Sequence, residues 1–166
     1  MKKMIFFLFI GFISIHGNIC AQAKPSPAVL ELRALVQSAK TGFKDDTGEL
    51  LKEDNENKIN YYKTKKETTA AQTFIFKTMG TDAAPVYVIT YHVKEMDAMT
   101  MGLVLRIVDQ YIDELNLMVQ SGDYTGRDYT DDQGMAITEM KDKKGNHILD
   151  YGSDKETQNI YIFGLK

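Results

Sequence analysis

Residues 85–120 read PVYVITYHVKEMDAMTMGLVLRIVDQYIDELNLMVQ. The first nine are crowded with β-branched and aromatic side chains, which suit a pleated, half-buried surface, so Pro85 to Val93 reads as a strand. Alternation divides it into two faces. One holds Val86, Val88, Thr90 and His92; the other holds Tyr87, Ile89, Tyr91 and Val93 and is expected to face the core. After Asp97, a good N-cap, the apolar period changes from two to that of a helix. Leu103, Val104, Ile107, Val108, Tyr111, Ile112, Leu115, Met118 and Val119 form a wide stripe along Met99–Gln120, with Asp109, Asp113, Glu114 and Asn116 opposite it or at its edge. A stripe this broad belongs under a sheet. The expected contact sets Leu103, Ile107, Tyr111, Leu115 and Met118 against Tyr87, Ile89 and Tyr91.

Working outward toward the carboxyl end, Gly122 stops the helix. Four strands follow, at Asp123–Tyr129, Met135–Lys141, His147–Tyr151 and Gln158–Phe163, each separated from the next by turn-forming residues. Toward the amino end, Ala71–Lys77 and Lys58–Lys65 read as strands and Leu50–Lys52 is a candidate short strand, so three or four strands are expected before the long helix. Ser26 and Pro27 open an amphipathic helix over Pro27–Thr41, which Gly42 ends and behind which Phe43 tucks toward the core. Helix, strands, helix, strands in that order predict an α+β fold. The expected architecture is a single antiparallel sheet packed against an N-terminal helix and one long central helix. No repeat of solenoid type is visible. Asp-Tyr-Thr occurs at 123–125 and again at 128–130, but its five-residue offset puts the two tyrosines on opposite strand faces.

The first residues carry a different kind of signal. Lys2 and Lys3 precede an apolar run from Met4 to Ile15 that is too short to span a bilayer, and Ala21-Gln22-Ala23 supplies small residues for a cleavage site. Residues 1–23 therefore read as a signal peptide, with cleavage after Ala21 as the near alternative, and 24–166 as one globular α+β domain. A periplasmic or secreted location follows. A lipid anchor on Cys20 is the weaker alternative, because Ile19 stands where such sites carry a small residue. Cys20 is the only cysteine, so the mature domain would have no disulfide and no thiol chemistry. Losing Lys2 and Lys3 takes the formal net charge from −3 to −5. Mild acidity argues against nucleic acid as a partner, and no second apolar stretch of membrane length follows the leader.

Motifs that carry chemistry are sparse. Asp128, Asp131 and Asp132 invite a calcium reading, but Gln133 stands where the calcium loop requires glycine and Gly134 comes one place late, which makes a hairpin turn the better reading. His92 and His147 fall in separate strands without a local histidine partner, and no mature serine lies in a nucleophile elbow. No catalytic residue, metal ligand or cofactor is expected. Lys63, Lys65 and Lys66 suit a strand edge that resists pairing. Tyrosine on an exposed strand is a good contact anchor, which nominates Tyr61, Tyr62, Tyr124 and Tyr129 as a contact surface.

Gly42-Phe43-Lys44-Asp45-Asp46-Thr47-Gly48-Glu49 links the first helix to the sheet. With the element order, this stretch resembles small exported bacterial α+β proteins of unknown function. In outline it also resembles secretion-chaperone-like domains. The resemblance implies a binding or chaperone-like role and assigns no residue a function. The expectation is an exported, non-enzymatic binding or interaction module of the bacterial envelope, contacting another envelope protein or itself. The alternatives are a small metal-assisted hydrolase using Asp128, Asp131, Asp132 and a histidine, or a self-associating structural protein.

Overall fold

The structure, a computed structural model, describes residues 24–165. The expected signal peptide, residues 1–23, and Cys20 lie outside them. Helix α1 (Pro27–Ala39) begins where Ser26 accepts a hydrogen bond from the Val29 amide. It ends in a Schellman turn, with the Phe43 amide donating to the Ser38 carbonyl and the Gly42 amide to that of Ala39. That turn demands left-handed backbone, and Gly42 has φ 62° and Phe43 φ 55°. The non-glycine residue is held there by burial, its ring tilted against Tyr87 with centroids 5.6 Å apart. The stretch 42–49 thus has a structural job. Gly48 serves it too, because a Cβ there would sit 2.8 Å from the Lys63 carbonyl oxygen.

Four strands follow α1: β1 (Thr47–Asp54), β2 (Ile59–Thr64), β3 (Gln72–Thr78) and β4 (Val86–Tyr91). Helix α2 (Ala98–Gln120) is capped by Asp97, whose carboxylate accepts from the Met99 and Thr100 amides at 2.9 Å. Four more strands complete the chain: β5 (Tyr124–Thr130), β6 (Ala136–Asp142), β7 (His147–Ser153) and β8 (Gln158–Phe163). All eight pair antiparallel in one sheet of order β1-β2-β3-β4-β8-β7-β6-β5. The fold is α+β, as the sequence predicts. β1 is longer than the three residues expected, because its pairing with β2 carries through two register shifts.

That order is the same helix-and-meander unit used twice. Each helix leads into four consecutive strands, and the last strands of the two units, β4 and β8, lie side by side at the centre. Both helices cover one face. Their apolar residues join Tyr87, Ile89, Tyr91, Leu149, Ile160 and Ile162 in a single core. The expected core face of β4 is correct, with Tyr87, Ile89 and Tyr91 buried; the strand ends at Tyr91, and Val93, also buried, opens a short 3-10 turn over Val93–Glu95.

The long helix is rotated from the expected setting. Val104, Val108, Tyr111 and Leu115 form its buried line, Ile107 and Met118 are partly buried, and Leu103 is 47% exposed. Glu114, expected at the polar edge, is 5% exposed and takes two bonds from Arg33, at 2.7 and 2.9 Å. Ser26 donates to Gln110 at 2.8 Å. The polar partners lie on α1, so α2 turns that side toward its neighbouring helix as well as toward the sheet. A second correction concerns Lys63, Lys65 and Lys66. β2 is internal, flanked by β1 and β3, so these lysines guard no edge; Lys66 instead approaches the buried Asp46 at 3.6 Å.

Candidate functional site

Register settles what the helix-free face of the sheet presents. Tyr87 faces the helices, so its neighbours Val86 and Val88 face outward, together with Phe76 and Phe163 opposite Val86 and with Phe74 and Tyr161 opposite Val88. Tyr61 extends this surface from β2, its ring 5.7 Å from Phe74 and 6.5 Å from Phe76. The valines are buried, whereas Tyr61, Phe74, Phe76, Tyr161 and Phe163 are half-buried. Half of the outer face is therefore an aromatic layer over a valine floor, with no helix on it.

The other half, on β7, β6 and β5, is polar. Glu139 lies directly opposite Asp150, and Arg127 opposite Glu139. Arg127 also rests over the Tyr129 ring, 5.4 Å from its centroid. His147 joins them at the border with the aromatic half. Its ring stacks on Phe163, centroids 4.0 Å apart and planes 23° from parallel, while Nε2 lies 2.6 Å from Asp150 Oδ1.

His147 reaches this face through a β-bulge. Met140 pairs with Leu149 but Lys141 pairs with His147, so β7 carries one extra residue, Ile148. Strict alternation from the outward Asp150 would send His147 inward. The bulge instead puts Ile148 and Leu149 both in the core and returns His147 to the outer face. Residues three apart in a regular strand point to opposite sides, so this contact was invisible to pattern reading.

Burial raises the Asp150 carboxyl above its usual range, against the pull of His147. The Lys141 ammonium, 2.7 Å from Glu139, holds the Glu139 carboxyl below its usual range. Glu139, His147 and Asp150 each bring one nitrogen or oxygen of metal-ligating type within 4.8 Å of the other two.

The residues nominated from sequence are not brought together as one surface. Tyr61 and Tyr129 share the outer face, but six strand spacings separate β2 from β5, on the order of 29 Å along the sheet. Tyr62 and Tyr124 face the other way and pack against the helix-side core. The acidic trio does not converge on a histidine either. Asp128 accepts from the Thr138 hydroxyl at 2.7 Å, and Asp131 accepts from the Gln133 and Met135 amides inside its own turn. His92 pairs with Gln72 at 3.1 Å. Two clefts beside α1, of about 540 and 600 Å³, have no histidine in their lining.

Among the described residues, no helix is long and apolar enough to cross a membrane. No protein-family model, curated protein or solved structure matches the chain.

Proposed function

We propose that the protein is an exported, non-enzymatic binding module of the bacterial envelope, and that it engages a protein partner through the aromatic half of its outer sheet face. The observation that supports this most is the asymmetry of the sheet. Both helices cover one side, and the uncovered side carries five half-buried aromatic rings packed over buried valines. Rings held in place by neighbours lose little entropy on docking, which makes them efficient anchors. The charged border on β5–β7 supplies a polar rim of the kind that surrounds protein contacts. A second envelope protein with an apolar segment fits this arrangement; a second copy of the chain is the alternative occupant.

The test combines capture with mapping. Protein carrying a photoreactive residue in place of Tyr161 or, as control, of Leu105 on the outside of α2 is cross-linked in the envelope fraction, and its processed mass is recorded. One partner cross-linked from Tyr161 and lost in Phe74→Ser, with circular dichroism unchanged, is the expected result. A cross-link between identical chains would move the reading to self-association. Cross-linking from Leu105 alone, or an unprocessed chain held in the membrane, would overturn it.

A further inference from the structure

We propose that Glu139, His147 and Asp150 form a transition-metal site, matched to Zn²⁺, on the polar half of the outer sheet face. No metal ligand is expected from the sequence, and the site stands or falls independently of the partner reading above.

Four observations carry it. The first is geometry. Ligand atoms sharing one tetrahedral Zn²⁺ at about 2.0–2.1 Å lie roughly 3.4 Å from each other. Here they are all within 4.8 Å of one another, so side-chain adjustment within the existing backbone closes the site. The second is donor chemistry. One imidazole nitrogen with two carboxylates is a set that Zn²⁺ accepts, whereas Ca²⁺ and Mg²⁺ call for oxygen ligands alone and more of them.

The third is the bulge. It inserts Ile148 into the core and aims His147 outward beside two acids, and re-aiming a side chain is a use bulges serve next to functional sites. The stacked Phe163 ring then holds the imidazole plane. The fourth is charge. Glu139 and Asp150 are directly opposed on one face of adjacent strands, an arrangement that costs stability unless a cation lies between or beside them. Lys141 supplies a cation to Glu139, but its side chain is 41% exposed on a flexible stem and is free to swing away when a dication enters. Three protein ligands would leave a fourth position for water or a partner's side chain, the open arrangement typical of zinc sites that react or bridge.

The test uses untagged, metal-stripped protein as it accumulates in its host, with Zn²⁺ alone as the titrant in calorimetry. One Zn²⁺ per chain is expected. Asp150→Asn and His147→Ala should each weaken binding by roughly a hundredfold, at the top of the range that loss of even a supporting residue costs a metal site. His92→Ala should leave affinity unchanged. Lys141→Met removes the competing ammonium and should tighten binding severalfold, an outcome that a purely structural cluster of ion pairs does not produce. Should His147→Ala fail to fold, Co²⁺ added to wild type keeps the test open. Intense visible absorption of the four-coordinate ion is expected there, and it should be lost in Asp150→Asn. Absence of saturable Zn²⁺ binding, or binding that Asp150→Asn and Lys141→Met leave unaltered, would overturn the site.

Discussion

Three tyrosines show what burial does to a single hydroxyl. Tyr87, Tyr91 and Tyr111 are among the largest fully buried side chains, and the Tyr91 and Tyr111 oxygens have no hydrogen-bond partner. Desolvation disfavours the charged phenolate. All three are pushed above the usual tyrosine value, Tyr91 to about 12 and Tyr111 further. A group whose proton is held more tightly in the folded state stabilises that state fully below its unfolded pKa, and the contribution fades as pH rises through the folded value. Stability from these residues is therefore intact below about pH 10 and lost through about pH 12. The chain has no tryptophan, so tyrosinate absorbance reads the ionisation directly. The buried set should ionise only together with the loss of circular dichroism. Nine tyrosines titrating as one normal class would contradict the burial described.

At the scale of one element, α2 carries leucines on two opposite faces. Leu115 is 7% exposed and belongs to the core; Leu117, two positions on, is 56% exposed. Truncating a buried leucine costs about 2–5 kcal/mol, because a cavity is left in addition to the lost transfer energy. An exposed substitution usually stays within about 0.5 kcal/mol. Urea denaturation of Leu115→Ala and Leu117→Ala should reproduce that gap; equal losses would mean that α2 is rotated from the setting described. Composition does not distinguish these leucines. A stripe covering more than a third of a helix admits several rotations, and the choice among them fell to α1, where Arg33 pairs with Glu114 and Ser26 with Gln110. Caps behave differently, being local. Ser26, Asp97 and the Gly42–Phe43 turn act within one helical turn, and each was readable from its own neighbours.

For the whole molecule, the duplicated unit raises the question of whether each half folds alone. The central β4–β8 pairing joins the units through six register pairs, and one apolar core runs beneath both. Separation would expose both central strands as bare edges and open that core to water. Unfolding is therefore expected as one transition, with calorimetric and van't Hoff enthalpies equal; two resolved transitions would show independent halves. The strands other than β1, the turns, the helix ends and the inward face of β4 were all legible in the sequence, because each rests on contacts between residues near in the chain or on the alternation imposed by a pleat. The rotation of α2 and the strand order that sets β4 beside β8 within the expected single sheet were not. Nor was the return of His147 to the face shared by Glu139 and Asp150, or the distance across the sheet between Tyr61 on β2 and Tyr129 on β5. Those depend on which strand lies beside which and on one inserted residue in β7. Such long-range pairings are selected by the joint burial of the entire core, so no local pattern records them.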